Sequence, residues 1–133
     1  MLLKENRLTK DRDFNLLLKH GRWINGEFTD LKYLPLAKIQ DYFPKKEDPD
    51  SFKKQLKLAF VVGLKISKSA VKRNRIKRQM REVVRLILKE KKLELGYYVM
   101  VVAKKGGDTK KYAEISEEIK LLLNKAKIIK IRI

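Results

Sequence analysis

Arg73-Asn74-Arg75, followed at helical intervals by Lys77, Arg78 and Arg81, is the densest set of anion-gripping side chains in the chain. Arg presents a planar fork that holds a phosphate through two parallel hydrogen bonds, and Asn both donates and accepts, which suits 2′-hydroxyls and base edges. At about 100° per residue, Ile76, Met80, Val83, Val84 and Ile87 fall on one narrow arc, while Asn74, Arg75, Lys77, Arg78, Arg81, Arg85 and Lys89 spread over the opposite side. The spacing predicts a helix with one face to pack and one to bind. From Lys65 to Lys92 there are 12 Lys or Arg against 2 acidic residues, a local +10 within a formal net charge of +18. Self-repulsion on that scale destabilises a compact chain unless a polyanion relieves it. A run of Lys alone reads equally well as a solvated face. The Arg-Asn-Arg mixture favours nucleic acid, and RNA in particular.

The chemistry of a protein nuclease is missing. Such an enzyme needs carboxylates or imidazoles arranged to hold metal or move protons, yet the chain has one His, His20, placed at a predicted helix end beside Gly21. There is no zinc pattern, and Gly106-Gly107 is too short for a phosphate-cradling loop. With no Cys, disulfides and Cys-ligated zinc are excluded. No catalytic residue and no metal ligand is assigned to the protein.

The elements that must position the basic stretch read as follows. Thr9 is a candidate N-cap for a first helix over Lys10 to His20, with Asp11 and Asp13 in its first turn and Gly21 as a left-handed end. Phe14, Leu17, Leu18 and Leu8 share its apolar side, and spacing alone makes them core. Glu27 to Lys38 reads as a strand weakened by Pro35; its Tyr33 is either a packing aromatic or a surface one. Trp23 is assigned to packing. Residues 40–55 read as a mobile loop insertion. Leu56, Leu58, Phe60 and Val62 alternate as a strand leading into the basic helix, which Ser69 or Ser67 caps and which runs to Lys91 or Lys92 before a stop at Gly96. Tyr97 to Ala103 is a nearly continuous apolar run, as in a strand buried on both faces. Gly106-Gly107-Asp108 turns the chain into a last helix from about Lys110 to Ala126, with Tyr112, Ile115, Ile119, Leu122 and Leu123 inward and Glu114, Glu117 and Glu118 outward. Residues 127–133 are a short strand or a tail. A chain of 133 residues that is 44% hydrophobic fits one α+β domain spanning 1–133.

Ala70-Val71-x-Arg73-Asn74-Arg75-Ile76-Lys77-Arg78-x-x-Arg81-Glu82 closely resembles the Arg-Asn-Arg signature of the bacterial ribonuclease P protein subunit. Asn6-Arg7-Leu8, Asp13-Phe14, Lys19-His20-Gly21-Arg22 and Tyr97-Tyr98-Val99-Met100-Val101-Val102-Ala103-Lys104 extend the match in order from about Lys4 to Lys105. The resemblance implies an α-β-β(-β)-α-β-α order with a central mixed sheet, and a left-handed βαβ crossover carrying the signature helix where right-handedness is the general rule. It implies an accessory subunit of a ribonucleoprotein endonuclease whose RNA is the catalyst and whose Mg²⁺ acts mainly through that RNA. Its partners would be ribonuclease P RNA and precursor tRNA, with no protein partner required. By the same resemblance Arg73, Asn74, Arg75, Lys77, Arg78 and Arg81 engage the catalytic RNA. Phe14, Leu18, Tyr33 and Lys65 are candidates for a cleft holding the single-stranded 5′ leader. Relatives often carry an aromatic where this chain has Leu18, and this chain has one extra residue before Ala70.

Two other readings share the charge and size: a structural RNA-binding protein such as a ribosomal protein, and a DNA-compacting or membrane-surface protein using a basic amphipathic helix. The narrow apolar arc between two strands argues for burial in the chain's own sheet rather than in lipid. The N-terminus lacks the sustained apolar core of a signal peptide and no run reaches membrane-spanning length, so the expected location is the cytoplasm.

Overall fold

A strand as uniformly apolar as Tyr97–Ala103 is stable only where both of its faces are covered. In the computed structural model, which describes residues 4–42, 54–90, 92–104 and 111–129, that segment is β4, an inner strand of a four-stranded sheet ordered β1-β2-β4-β3. β1 is Arg22–Asn25, β2 is Thr29–Pro35 and β3 is Leu56–Val61. β1 and β2 form an antiparallel hairpin, β2 runs antiparallel to β4, and β3 runs parallel to β4. Among the described residues three α-helices pack on this sheet: α1, Asp11–His20; α2, Ala70–Lys89; and α3, Tyr112–Lys125. A parallel pair needs a crossover, and α2 supplies it between β3 and β4. The expected mixed sheet and α-β-β-β-α-β-α order are therefore observed, with β1 as the optional third strand.

Alternation along the strands makes two cores. Leu31, Leu58, Val99 and Val101 face α2 and α3, where Met80, Val84, Ile119 and Leu123 meet them. Leu34, Tyr98 and Met100 face the other way, against Leu17 of α1 and Leu8, Leu36 and Ile39. No described helix is long and apolar enough to cross a membrane.

α1 is fastened to its face of the sheet by a buried carboxylate. Asp13 is fully buried; its Oδ1 accepts from the Tyr98 hydroxyl at 3.1 Å and from Arg12 Nε at 3.4 Å, and Lys57 Nζ lies 3.5 Å from Oδ2. A carboxylate out of water is tolerated when it is paired in this way. The sequence had offered Asp13 only a favourable place in the helix dipole. Two details of this helix also differ from expectation. Its N-cap is Lys10 rather than Thr9, without a side-chain cap bond, and Gly21 is extended at φ −71°, ψ 161° rather than left-handed. Gly21 is required for space instead, since a Cβ there would stand 2.4 Å from the Leu17 carbonyl oxygen. Positive φ occurs instead at Gly96, 92°, in the turn that feeds β4, and at Lys127, 60°, after α3.

The largest correction concerns Glu118, expected outside and found buried. Its carboxylate accepts from the backbone amides of Glu27 and Phe28 and from Thr29 Oγ1, clamping the β1–β2 turn from 89 to 91 residues away. Tyr112, expected inward, is 37% exposed. β2 ends at Pro35, and Leu36–Tyr42 forms a kinked 3-10 segment. α2 stops at Lys89, shorter than expected. Beyond α3, Ile129 bridges to Leu93; residues 43–53 of the loop expected over 40–55, the Gly106-Gly107-Asp108 turn and residues 130–133 lie outside the described residues.

Removing the Glu118 clamp leaves two amides and a hydroxyl without their acceptor. Glu118→Ala should destabilise the fold by about 3 kcal/mol, read as a lower urea midpoint at unchanged slope, and Glu118→Gln, which keeps one acceptor oxygen, by less. A loss within about 0.5 kcal/mol for the Ala variant would mean that the bonds of the Gly26 amide to the Thr29 carbonyl and to Asp30 Oδ1 suffice to hold the turn.

Candidate nucleic-acid interface

α2 starts cleanly because Ser69, in an extended conformation, accepts a hydrogen bond from the Lys72 amide through its hydroxyl, at 3.4 Å. Ile76, Met80, Val83, Val84 and Ile87 are all buried, the arc that periodicity predicts. The other side is left to water. Asn74, Arg75 and Arg78 are exposed, and Lys77 and Arg81 are half-exposed. Arg73 has a second task, since its Nη1 donates to the Ser67 carbonyl at 2.9 Å and ties down the turn that enters the helix. One such bond leaves the rest of its five-donor fork available.

Not every cation on the helix is available. Glu82 takes Arg85 in a two-pronged pair, Nε to Oε2 at 2.8 Å and Nη2 to Oε1 at 2.6 Å. These bonds hold the Glu82 carboxyl below the usual carboxylate range and raise Arg85 above the usual guanidinium one. No acidic side chain among the described residues pairs with Arg75, Arg78 or Arg81. Arg75 and Arg78 flank a depression of about 810 Å³ floored by Val71 and Tyr112, so the helix offers apolar contact beside its charges.

A second concavity lies at the open edge of β3. The N-terminal segment covers part of that edge: Asn6 Nδ2 donates to the Leu56 carbonyl at 2.9 Å, and the Leu8 amide donates to the Leu58 carbonyl at 2.9 Å. Where this cover ends, a cleft of about 280 Å³ is lined by Arg7, Leu8, Phe14, Leu58, Ala59, Phe60 and Arg81. Phe14 and two guanidinium groups in one cleft match the needs of a single-stranded nucleic acid, which stacks its bases and pairs its phosphates with cations, while Phe60, also at the cleft, packs its side chain against the α2/α3 core. Arg81 lines both this cleft and the depression on α2, so the two surfaces adjoin.

The residues expected at the cleft divide. Phe14 lines it. Leu18 stands one turn further along α1, 52% exposed. Lys65 is exposed in the turn after β3 and is not among the lining residues. Tyr33 is corrected: it packs with the opposite core, its ring centroid 6.4 Å from that of Tyr97. The parity of β2 decides this, because Tyr33 shares a face with Leu31 and not with Leu34. Arg7 and Phe60 were missed as cleft residues. Arg7 sits in the Asn6-Arg7-Leu8 match, which was its available signal; Phe60 reads in sequence as one more inward strand residue. Among the described residues no three His, Asp or Glu side chains come together to hold a metal ion.

The sequence profile of the family described as Ribonuclease P matches residues 2–127. A ribonuclease P protein component from Synechococcus sp. (strain JA-2-3B'a(2-13)) is 31% identical over 129 residues, covering 97% of this chain and 87% of that protein. One from Clostridium kluyveri is 40% identical over 124 residues, covering 93% of this chain and 96% of that protein. In fold the chain is similar to the ribonuclease P protein of Staphylococcus aureus, with a TM-score of 0.72 at 21% identity over 95% of this chain and 99% of that one. It is also similar to that of Thermotoga maritima, with a TM-score of 0.66 at 23% identity over 90% of this chain and 96% of that one.

The Glu82–Arg85 pair gives a direct test of how the α2 face meets a polyanion. Glu82→Gln releases the Arg85 fork, so binding to a structured RNA should tighten a few-fold, and the log–log salt dependence should steepen by about one unit for one added phosphate contact. An unchanged slope in titrations across salt would put Arg85 beyond reach of the RNA.

Proposed function

The chain belongs to the ribonuclease P protein family, and we propose that its two adjoining surfaces divide the protein's work between the catalytic RNA and the substrate leader. It is the protein component of the ribonucleoprotein endoribonuclease that processes the 5′ end of precursor tRNA, and as such it associates with ribonuclease P RNA. In our reading Arg73, Asn74, Arg75, Lys77 and Arg78 engage that RNA. Phe14, with Leu18 beside it, receives the single-stranded leader, and Arg81 stands where the two meet. The observation that carries this is the cleft at the β3 edge, which combines Phe14 with Arg7 and Arg81 and adjoins the unpaired arginines of α2.

The physical contribution follows from those groups. Fixed guanidinium and ammonium groups displace counterions from the RNA they touch, so fewer free cations are needed to hold catalytic RNA and substrate together. The cleft acts only on a substrate that still has its leader, so stacking there adds affinity for precursor and none for product. The described residues offer Mg²⁺ no cluster of ligands. We assign the ion to the RNA partner, and no step of the chemistry to a protein side chain.

The test is cleavage of a precursor tRNA by ribonuclease P RNA at low Mg²⁺, with this protein or with an unrelated protein of equal charge. Rescue by this protein alone is expected. Arg75→Ala with Arg78→Ala should weaken binding to the RNA subunit and lower the salt slope by about two units. Phe14→Ala should reduce the preference for precursor over mature tRNA by at least about 5-fold while leaving RNA-subunit binding unchanged. Equal effects of both on RNA-subunit affinity, with no change in leader dependence, would overturn the division into two surfaces.

A further inference from the structure

Trp23 has no part in either surface so far. It is the sole tryptophan of the chain, it stands on the edge strand β1, and it is 48% exposed. Half of a large aromatic ring is therefore presented to solvent, where it can stack. Directly across the ladder is Lys32, only 7% exposed, whose ammonium lies 5.0 Å from the Trp23 ring centroid and donates to the Leu18 carbonyl at 2.7 Å. A buried cation thus orients the indole from one side and leaves half of its surface to solvent.

The sheet register links this ring to the cleft. Trp23 pairs with Lys32, Lys32 with Met100, and Met100 with Ala59, so these four side chains form one row on the α1 face of the sheet. The row ends at Ala59, which lines the cleft beside Phe14. Along the same face α1 carries Leu18, half-exposed and tied through its carbonyl to Lys32. Three interstrand spacings of about 4.8 Å, ~14 Å in all, separate the Ala59 end from the Trp23 end. That distance exceeds a single base and suits an extended strand of several nucleotides.

We propose that Trp23 is a second stacking platform for the leader, at the opposite end of this row from Phe14, taking a base several nucleotides from the one held in the cleft. The Lys32 ammonium beneath the ring, buried and bonded to the Leu18 carbonyl, holds the indole in place for that base. The inference rests on the reading of the Phe14 cleft as the leader site and extends it across the sheet. It makes the protein sensitive to leader length: short leaders meet Phe14 alone, and longer ones meet both rings. A base stacked on one face of an edge-strand ring adds about 5- to 10-fold in affinity.

The experiment uses the holoenzyme reconstituted with ribonuclease P RNA, and precursor tRNAs whose leaders increase one nucleotide at a time. Trp23→Ala should weaken binding about 5- to 10-fold only above a threshold leader length, with shorter leaders and mature tRNA bound as before, and Trp23→Phe should restore most of the loss. Since Trp23 is the sole indole, its fluorescence in the unmodified holoenzyme should be quenched by precursors above the threshold and not by mature tRNA. A uniform loss across all lengths, or no quenching by long leaders, would mean that Trp23 only covers Lys32, and overturns the inference. Phe14→Ala in the same series separates the two levels. A Phe14 effect without a Trp23 effect removes this inference alone, whereas the absence of both removes the cleft reading as well.

Discussion

Everything here depends on α2 keeping its apolar arc in the sheet while its charges stay outside. Like charges three or four residues apart on a helix disfavour it by about 0.2–0.5 kcal/mol per pair, and an undocked helix of this length is marginal in water. Against this, five buried side chains, Ile76, Met80, Val83, Val84 and Ile87, contribute about 1.5–3 kcal/mol each. Burial wins by a wide margin. The arginines are therefore held on a rigid helix before any RNA arrives, and binding does not have to supply the entropy of folding it.

The same burial dictates the rest of the architecture. A helix crossing between two parallel strands must lie on one face of the sheet, and α3 completes that face. β4, apolar on both sides, then needs cover on the other face, which α1 supplies through Leu17 and the Asp13–Tyr98 bond. α1 is too short to roof the whole sheet. Its N-terminal half stands at β3, where Phe14 forms a wall of the cleft, and its C-terminal end lies near Lys32 and Trp23. The concave surface is thus the part of the sheet that the packing leaves uncovered.

The basic helix and β4 were legible because each is governed by local periodicity, one at 3.6 residues and one by unbroken hydrophobicity. What escaped was set by distant partners. Glu118 borders the apolar arc of α3, and only the arrival of the Gly26–Thr29 turn on that helix draws it inward. Tyr33 lies on a strand of imperfect alternation, so its side of the sheet follows from register with β4 rather than from its neighbours in sequence. Gly21 was recognised as the end of α1 for the wrong reason: the constraint is contact with Leu17, not backbone handedness. Trp23 looked like core because tryptophan usually is, and its exposure follows from β1 being an edge strand.

Charge alone does not give a processing enzyme its direction. The cations of α2 attract any RNA, and the counterion release they drive is nearly the same for precursor and product, which share the tRNA body and differ by a few leader phosphates. Discrimination therefore has to come from groups that respond to the leader itself. In the reading proposed above, those are the uncharged surfaces of the α1 face and the β3 edge, where stacking requires an unpaired base and mature tRNA supplies none at that position. Affinity and selectivity are then carried by different side chains with different salt dependence. Arg81, half-exposed at the seam and lining both concavities, is where a change would alter the two together.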